Sequence, residues 1–142
     1  VQHKTFNYGD SILAKRQARA EGIDEPVFCN MQNQLTEGAV SNLFFIKNGQ
    51  LYTPPVEAGL LPGIIRSYLC QCYDVVEKPL YPEDIQTFDE CFLTNSLMGL
   101  MPVRSFGTVA FPVSQDTQTA ALFRRYEADR SQPFPGFYKT SW

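Results

Sequence analysis

The chain has 142 residues, 44% of them hydrophobic and 19% charged, with a net charge of −3. That is room for one globular domain with its own core. The lack of a basic block argues against nucleic acid as a partner, and no apolar run approaches the ~20 residues of a membrane span. The chain begins at Val1, in a polar stretch without a signal-peptide pattern, as a piece of a longer protein would. In chain order, a helix is expected over Asp10–Glu21, capped by Asp10 or Ser11 and ended by Gly22, then a short strand over Glu25–Cys29 and a turn at Asn30–Asn33. Strands over Leu43–Lys47 and Leu51–Thr53 flank Asn48-Gly49, a strong hairpin signal, and Pro54-Pro55 stops the second. The turn at Pro62-Gly63 feeds a helix to about Tyr73, with Ile64, Ile65, Tyr68 and Leu69 apolar. A strand at Asp74–Lys78, a short helix after Pro82 and a strand over Glu90–Thr94 breaking at Asn95-Ser96 come next. A hairpin of Met101–Ser105 and Thr108–Pro112, a final helix over Gln115–Asp129 and an aromatic tail over Ser131–Trp142 complete the chain. This irregular mixture predicts an α+β fold, or a mixed sheet curled into an open barrel, rather than a doubly wound parallel sheet. Cys29, Cys70, Cys72 and Cys91 match no zinc spacing and His3 is the lone histidine, so no metal site is expected and the thiols read as reduced residues of a cytoplasmic protein.

Chemistry collects in four stretches. Glu37 stands among small and hydroxyl residues just before the apolar run Leu43–Ile46, where a carboxylate must be paired or hydrogen-bonded. Gly63 opens a helix whose first amides and dipole suit an anion. Phe92–Leu97 is a buried strand ending in Asn95 and Ser96, which could also hold a phosphate. Lys4 lies in His3-Lys4-Thr5-Phe6-Asn7-Tyr8. Each has an ordinary reading alone: a solvated Lys, a loop Glu, a plain turn, a capped strand end. Together they suit one ligand with an anionic group, a basic ring nitrogen and an electrophile, and pyridoxal 5′-phosphate has all three.

The motifs Lys4-Thr5-x-Asn7-Tyr8, Leu35-Thr36-Glu37-Gly38-x-x-Ser41-Asn42, Leu61-Pro62-Gly63-Ile64-x-Arg66 and Leu93-x-Asn95-Ser96-Leu97-Met98-Gly99-x-x-Pro102-Val103 occur in this order. The chain resembles the class IV aminotransferases, the fold-type IV pyridoxal-phosphate enzymes, from Lys4 to about Ser105. The last motif looks most like the 4-amino-4-deoxychorismate lyases, since the transaminases usually carry Thr and Glu there. The resemblance implies that Lys4 forms the Schiff base and shuttles the proton, and that Glu37 pairs with the pyridine nitrogen. It implies that Leu61 packs on the ring, that Ile64 and Ile65 after Gly63 offer backbone N–H groups to the phosphate, and that Ser96, beside Asn95, offers its hydroxyl. Tyr8 would reach the ring hydroxyl. It implies further that residues 1–142 are the larger C-terminal domain, a pseudo-barrel with surrounding helices, without the smaller N-terminal domain that supplies an arginine to the phosphate. Such enzymes act as homodimers on small-molecule substrates. The expected activity is conversion of 4-amino-4-deoxychorismate to 4-aminobenzoate and pyruvate in folate synthesis, by the full-length protein; the chain alone is expected to fold but to be inactive. A transaminase acting on a D- or branched-chain amino acid, and a non-catalytic interaction domain, are the alternatives.

Overall fold

The computed structural model describes residues 25–130. The expected helix at Asp10–Glu21, the residues His3, Lys4 and Tyr8, and the aromatic tail lie outside them. Seven strands form one sheet: β1 (Val27–Cys29), β2 (Leu35–Gly38), β3 (Asn42–Lys47), β4 (Gln50–Thr53), β5 (Val75–Glu77), β6 (Glu90–Asn95) and β7 (Gly99–Pro102). A separate ribbon joins β8 (Ser105–Phe106) to β9 (Val109–Ala110), and the helices are α1 (Ile64–Cys72) and α2 (Gln118–Arg130). Short 3₁₀ helices stand at Val56–Ala58 and Pro82–Thr87, the second with Pro at its start as its sequence predicts. The mixed α+β class is as the sequence predicts. No described helix is long and apolar enough to cross a membrane.

The centre is β3, Asn-Leu-Phe-Phe-Ile-Lys, buried on both faces until Lys47. It pairs antiparallel with β4, β6 and, through the single pair Glu37–Asn42, with β2. Since β6 lies along one edge of β3 for its whole length, β2 and β4 share the other. The β3–β4 hairpin turns through Asn48 (φ 51°) and Gly49 (φ 79°), the two left-handed residues that a tight hairpin of matching twist needs. Past Thr53 the ladder stops. Continuing its register would set Pro54 against Leu43, and Pro54 has no N–H to give. The buried Thr53 hydroxyl donates to the Leu43 carbonyl instead, at 2.6 Å.

One face of the sheet buries Leu43, Phe45, Cys91 and Leu93 against Leu35, Leu80, Ile85 and Phe111. The other buries Phe44, Ile46, Phe92 and Leu100 under Ile65 and Leu69 of α1 and Leu122 and Tyr126 of α2. Phe44 and Phe92 stack across β3 and β6 with ring centres 5.1 Å apart. All four cysteines are free thiols, and burial pushes the Cys29 and Cys91 thiols above their usual range.

Three expectations need correction. Leu35–Gly38 is a strand, not a loop leading into one. The strand Glu90–Asn95 ends at Asn95-Ser96 as expected, but the chain turns straight back through Ser96–Met98 into β7, so residues 101–102 pair with β6 and not with Thr108–Pro112, and the Gly107 hairpin is shorter than its sequence suggests. The last helix starts at Gln118 rather than Gln115, because buried Glu90 accepts the free amides of Gln118 (2.8 Å) and Thr119 (2.7 Å).

Candidate functional site

Strand pairing lines up four residues at one end of the sheet: Glu37 on β2, Asn42 on β3, Thr94 on β6 and Leu100 on β7. Directly opposed residues share a face, and Asn42 and Thr94 alternate in phase with Phe44 and Phe92. The row therefore lies on the helix-covered face, beside the N-terminus of α1. The loop Ala39–Ser41 between β2 and β3 is closed by Glu25, whose carboxylate accepts the Val40 amide (3.0 Å) and the Ser41 hydroxyl (2.9 Å). A Cβ at Gly38 would stand 2.3 Å from Ser41 Oγ and 2.6 Å from Glu25 Oε2, so any larger residue after Glu37 would push on the two side chains that close this loop.

Glu37 is half-buried. Burial pushes its carboxyl above the usual range, and the Leu61 amide, donating to Oε1 at 3.2 Å, pulls it part of the way back. The other side of the Leu61 peptide is held as well: its carbonyl accepts Asn42 Nδ2 at 3.0 Å, while Asn42 Oδ1 accepts the Gly63 amide at 2.8 Å. Carboxylate and turn are thus one hydrogen-bonded unit. After the turn, Gly63 is the N-cap of α1 with no side-chain cap, and the first amide bonded within the helix is that of Ser67, to the Gly63 carbonyl. The amides of Ile64 and Ile65 precede it and stand at the positive end of the helix. Ile65 is buried in the core, which fixes its backbone, while Ile64 and Leu61 are 79% and 71% exposed.

The structure brings Glu37, Leu61, Gly63, Ile64 and Ile65 together, and sets Asn95 and Ser96 at the same end of the sheet. It revises the role of the second turn. Asn95 Oδ1 already accepts the amides of Leu97 (3.0 Å) and Met98 (2.7 Å), so the hairpin tip spends those donors on itself and offers the Ser96 hydroxyl instead. Arg66 is no substitute for a phosphate-binding arginine. Its side chain is 4% exposed and turned into the fold, donating to the Pro54 carbonyl (3.0 Å) and Glu77 (2.9 Å). Asn42, Glu25 and Thr94 were given no role from sequence. The Thr94 hydroxyl is buried and has no hydrogen-bond partner among the described residues. The described residues contain no group of three or more His, Cys, Asp or Glu able to hold a metal ion.

Pyridoxal 5′-phosphate fits the described part of this arrangement. Half-buried Glu37 could take its basic ring nitrogen, exposed Leu61 could pack on its ring, and the uncapped start of α1 could take its phosphate. Comparison with known proteins agrees. Over 104 residues the chain is 35% identical to the branched-chain-amino-acid aminotransferase of Escherichia coli, covering 70% of this chain and 34% of that protein. Over 131 residues it is 26% identical to the aminodeoxychorismate lyase of Bacillus subtilis, covering 89% and 45%. A crystal structure from Legionella pneumophila, provisionally described as a 4-amino-4-deoxychorismate lyase, superposes with a TM-score of 0.77 at 39% identity, covering 89% of this chain and 48% of that one. The chain thus spans between a third and a half of these relatives' lengths. Residues 1–106 match the family model of amino-transferase class IV, and the chain belongs to that family, whose cofactor is pyridoxal 5′-phosphate.

Proposed function

We propose that the full-length protein carrying this chain is a cytoplasmic, homodimeric lyase that converts 4-amino-4-deoxychorismate to 4-aminobenzoate and pyruvate. In this reading residues 1–142 are its larger C-terminal domain, curled into a pseudo-barrel that a smaller N-terminal domain completes. The observation that carries the choice of lyase is the β6–β7 tip. Its donors are turned inward on Asn95, and its exposed residues Leu97 and Met98, 94% and 63% accessible, suit the face of a carbocyclic ring better than a charged substrate end. The likeness to the Legionella protein supports the same choice. The transaminase reading has its own support in the identity to the branched-chain enzyme.

When bound, the cofactor supplies an electron sink for the substrate carbon that carries the amine. Lys4 would hold it covalently, and once the substrate amine has taken that place the freed Nζ would accept the proton from C4 of the substrate. Glu37 holds a proton at the ring nitrogen, since a carboxylate within hydrogen-bonding reach favours the charged ring. The amides of Ile64 and Ile65, with the Ser96 hydroxyl, bind the phosphate; Tyr8 steadies the ring hydroxyl. Departure of the enolpyruvyl group as pyruvate leaves an aromatic ring, which drives the reaction forward.

The test is pyruvate release from 4-amino-4-deoxychorismate by the full-length protein with no keto acid added. Release at a catalytic rate supports the lyase. Turnover only with a keto acid present identifies a transaminase, and failure to develop an absorbance band on addition of pyridoxal phosphate rules out both. Borohydride reduction of the loaded protein should fix the cofactor on Lys4; label on Lys15, Lys47 or Lys78 would overturn that assignment.

A further inference from the structure

We infer that Asn42 is the positioning residue that sets the separation between the ring-facing carboxylate and the anion-binding helix start, and so gives the site its preference for a phosphorylated ligand. The inference rests on the cofactor site proposed above. A rigid ligand with a basic nitrogen at one side and an anion at the other needs its two protein partners at a fixed spacing. Here Glu37 and the start of α1 come from segments more than twenty residues apart, and one side chain spans the join. Asn42 pairs with Glu37 across β2 and β3, so its backbone is fixed relative to the carboxylate. Its amide donates to the Leu61 carbonyl at 3.0 Å and accepts the Gly63 amide at 2.8 Å. Glu37 takes the Leu61 N–H at 3.2 Å, so the Leu61 peptide is held on both sides.

The chemistry of this bridge is narrow. It needs one donor and one acceptor in one plane on a short stem. Asp has no donor in its ionised form, Ser has a single atom for both tasks, and Gln is one methylene too long. The side chain is 5% exposed, so water cannot replace either bond cheaply. The fit extends to the partner: a Cβ on Gly63 would stand 2.7 Å from Asn42 Oδ1. Gly63 has φ −76° and ψ 169°, where alanine is unstrained, so Gly63→Ala perturbs the site through Asn42 rather than through the backbone.

The experiment measures the affinity of the full-length protein for pyridoxal 5′-phosphate and for pyridoxal, which lacks the phosphate, with Asn42→Ala, Gly63→Ala and the double variant. Wild type should favour the phosphorylated compound strongly. Each single variant should lose ~10-fold or more of that affinity, the scale of a hydrogen bond to a charged group, while pyridoxal binding changes by less than ~2-fold. Gly63→Ala should cost little more once Asn42 is alanine, since the atom it collides with has gone. If Asn42→Ala does not fold, Gly63→Ala carries the test alone through the same ratio. Equal losses for both compounds, or the same Gly63→Ala cost in both backgrounds, would overturn the role of Asn42 while leaving the cofactor site standing. A wild type that does not favour the phosphorylated compound overturns the cofactor site and this inference with it.

Discussion

Removing the carboxylate from Glu77 should expose the cost of burying Arg66. The guanidinium is 4% exposed, bonded to the Pro54 carbonyl and to Glu77, and its Nε has no partner among the described residues. Breaking a fully buried pair costs about 3–5 kcal/mol, whereas an exposed pair contributes about 0–1. Glu77 is 43% exposed, so water screens its side of the bridge, and the expected cost of Glu77→Ala falls between these limits at roughly 2 kcal/mol. With a urea slope of about 1–3 kcal/mol/M, that lowers the midpoint by on the order of 1 M. The assay is urea denaturation of the purified chain followed by far-ultraviolet circular dichroism, in a cycle with Arg66→Met. In the Arg66→Met background the charge needing compensation is gone, and Glu77→Ala should cost less than about 0.5 kcal/mol. A cost below about 0.5 kcal/mol in the wild-type background, or equal costs in both, would refute the claim that this pair is what makes the buried arginine tolerable. Because Arg66 is the third residue of α1, loosening it should also loosen the helix start, Gly63–Ile65.

Glu37→Gln should slow turnover of the full-length protein by ~10²-fold or more, about 3 kcal/mol on the barrier, read from steady-state rates at saturating cofactor. The same change should raise the melting temperature of the cofactor-free chain near neutral pH. Burial raises the folded-state pKa of Glu37, so the stability it contributes is complete below the unfolded value and lost as pH rises through the folded one. The gap between variant and wild type should close as pH falls below the usual carboxylate range, and a gap that widens there would reverse the sign of the argument. Glu90→Ala removes the acceptor for the Gln118 and Thr119 amides and the Thr119 hydroxyl, and should cost about 1–2 kcal/mol in urea, with loss of helical signal from α2. Thr94→Val replaces an unpartnered buried hydroxyl by a methyl group of similar volume and should be neutral or slightly stabilising. A loss above about 1 kcal/mol would reveal a hydrogen bond to that hydroxyl.

Where local chemistry alone decides the backbone, the sequence was legible. Asn48-Gly49 must turn with two positive φ angles, Pro82 begins a short helix, and Gly63 precedes the regular turns of α1. The strand Leu35–Gly38 was not legible, because Leu-Thr-Glu-Gly has no alternating apolar pattern; pairing with β1 and the single pair to β3 make it a strand. The β6–β7 hairpin lacks an Asn-Gly signal and relies on the Asn95 side chain and on Gly99 at φ 74°. At the site, the motifs pointed to Glu37 and the Gly63 turn. The bonds that join them run between residues 19 to 24 apart, and what turns Arg66 away is likewise distant in the chain; no local pattern encodes such pairings.

The shared edge of β3 has a mechanical consequence. With Pro54 breaking the ladder and the Thr53 hydroxyl sealing the gap, no continuous row of main-chain bonds links β4 to β2 along that edge. The Asn48-Gly49 hairpin therefore reaches β2 only through β3, while β2 is held by its one ladder pair at Asn42, by β1, and by the Leu35 amide on the Leu80 carbonyl and the Gly38 amide on the Ser41 carbonyl. A load on Glu37 would pass first through the Leu61 amide into the Leu61–Gly63 turn and the start of α1. Deuterium uptake on loading with pyridoxal phosphate should therefore change at residues 35–42 and 61–67, and stay constant across the turn of the β3–β4 hairpin.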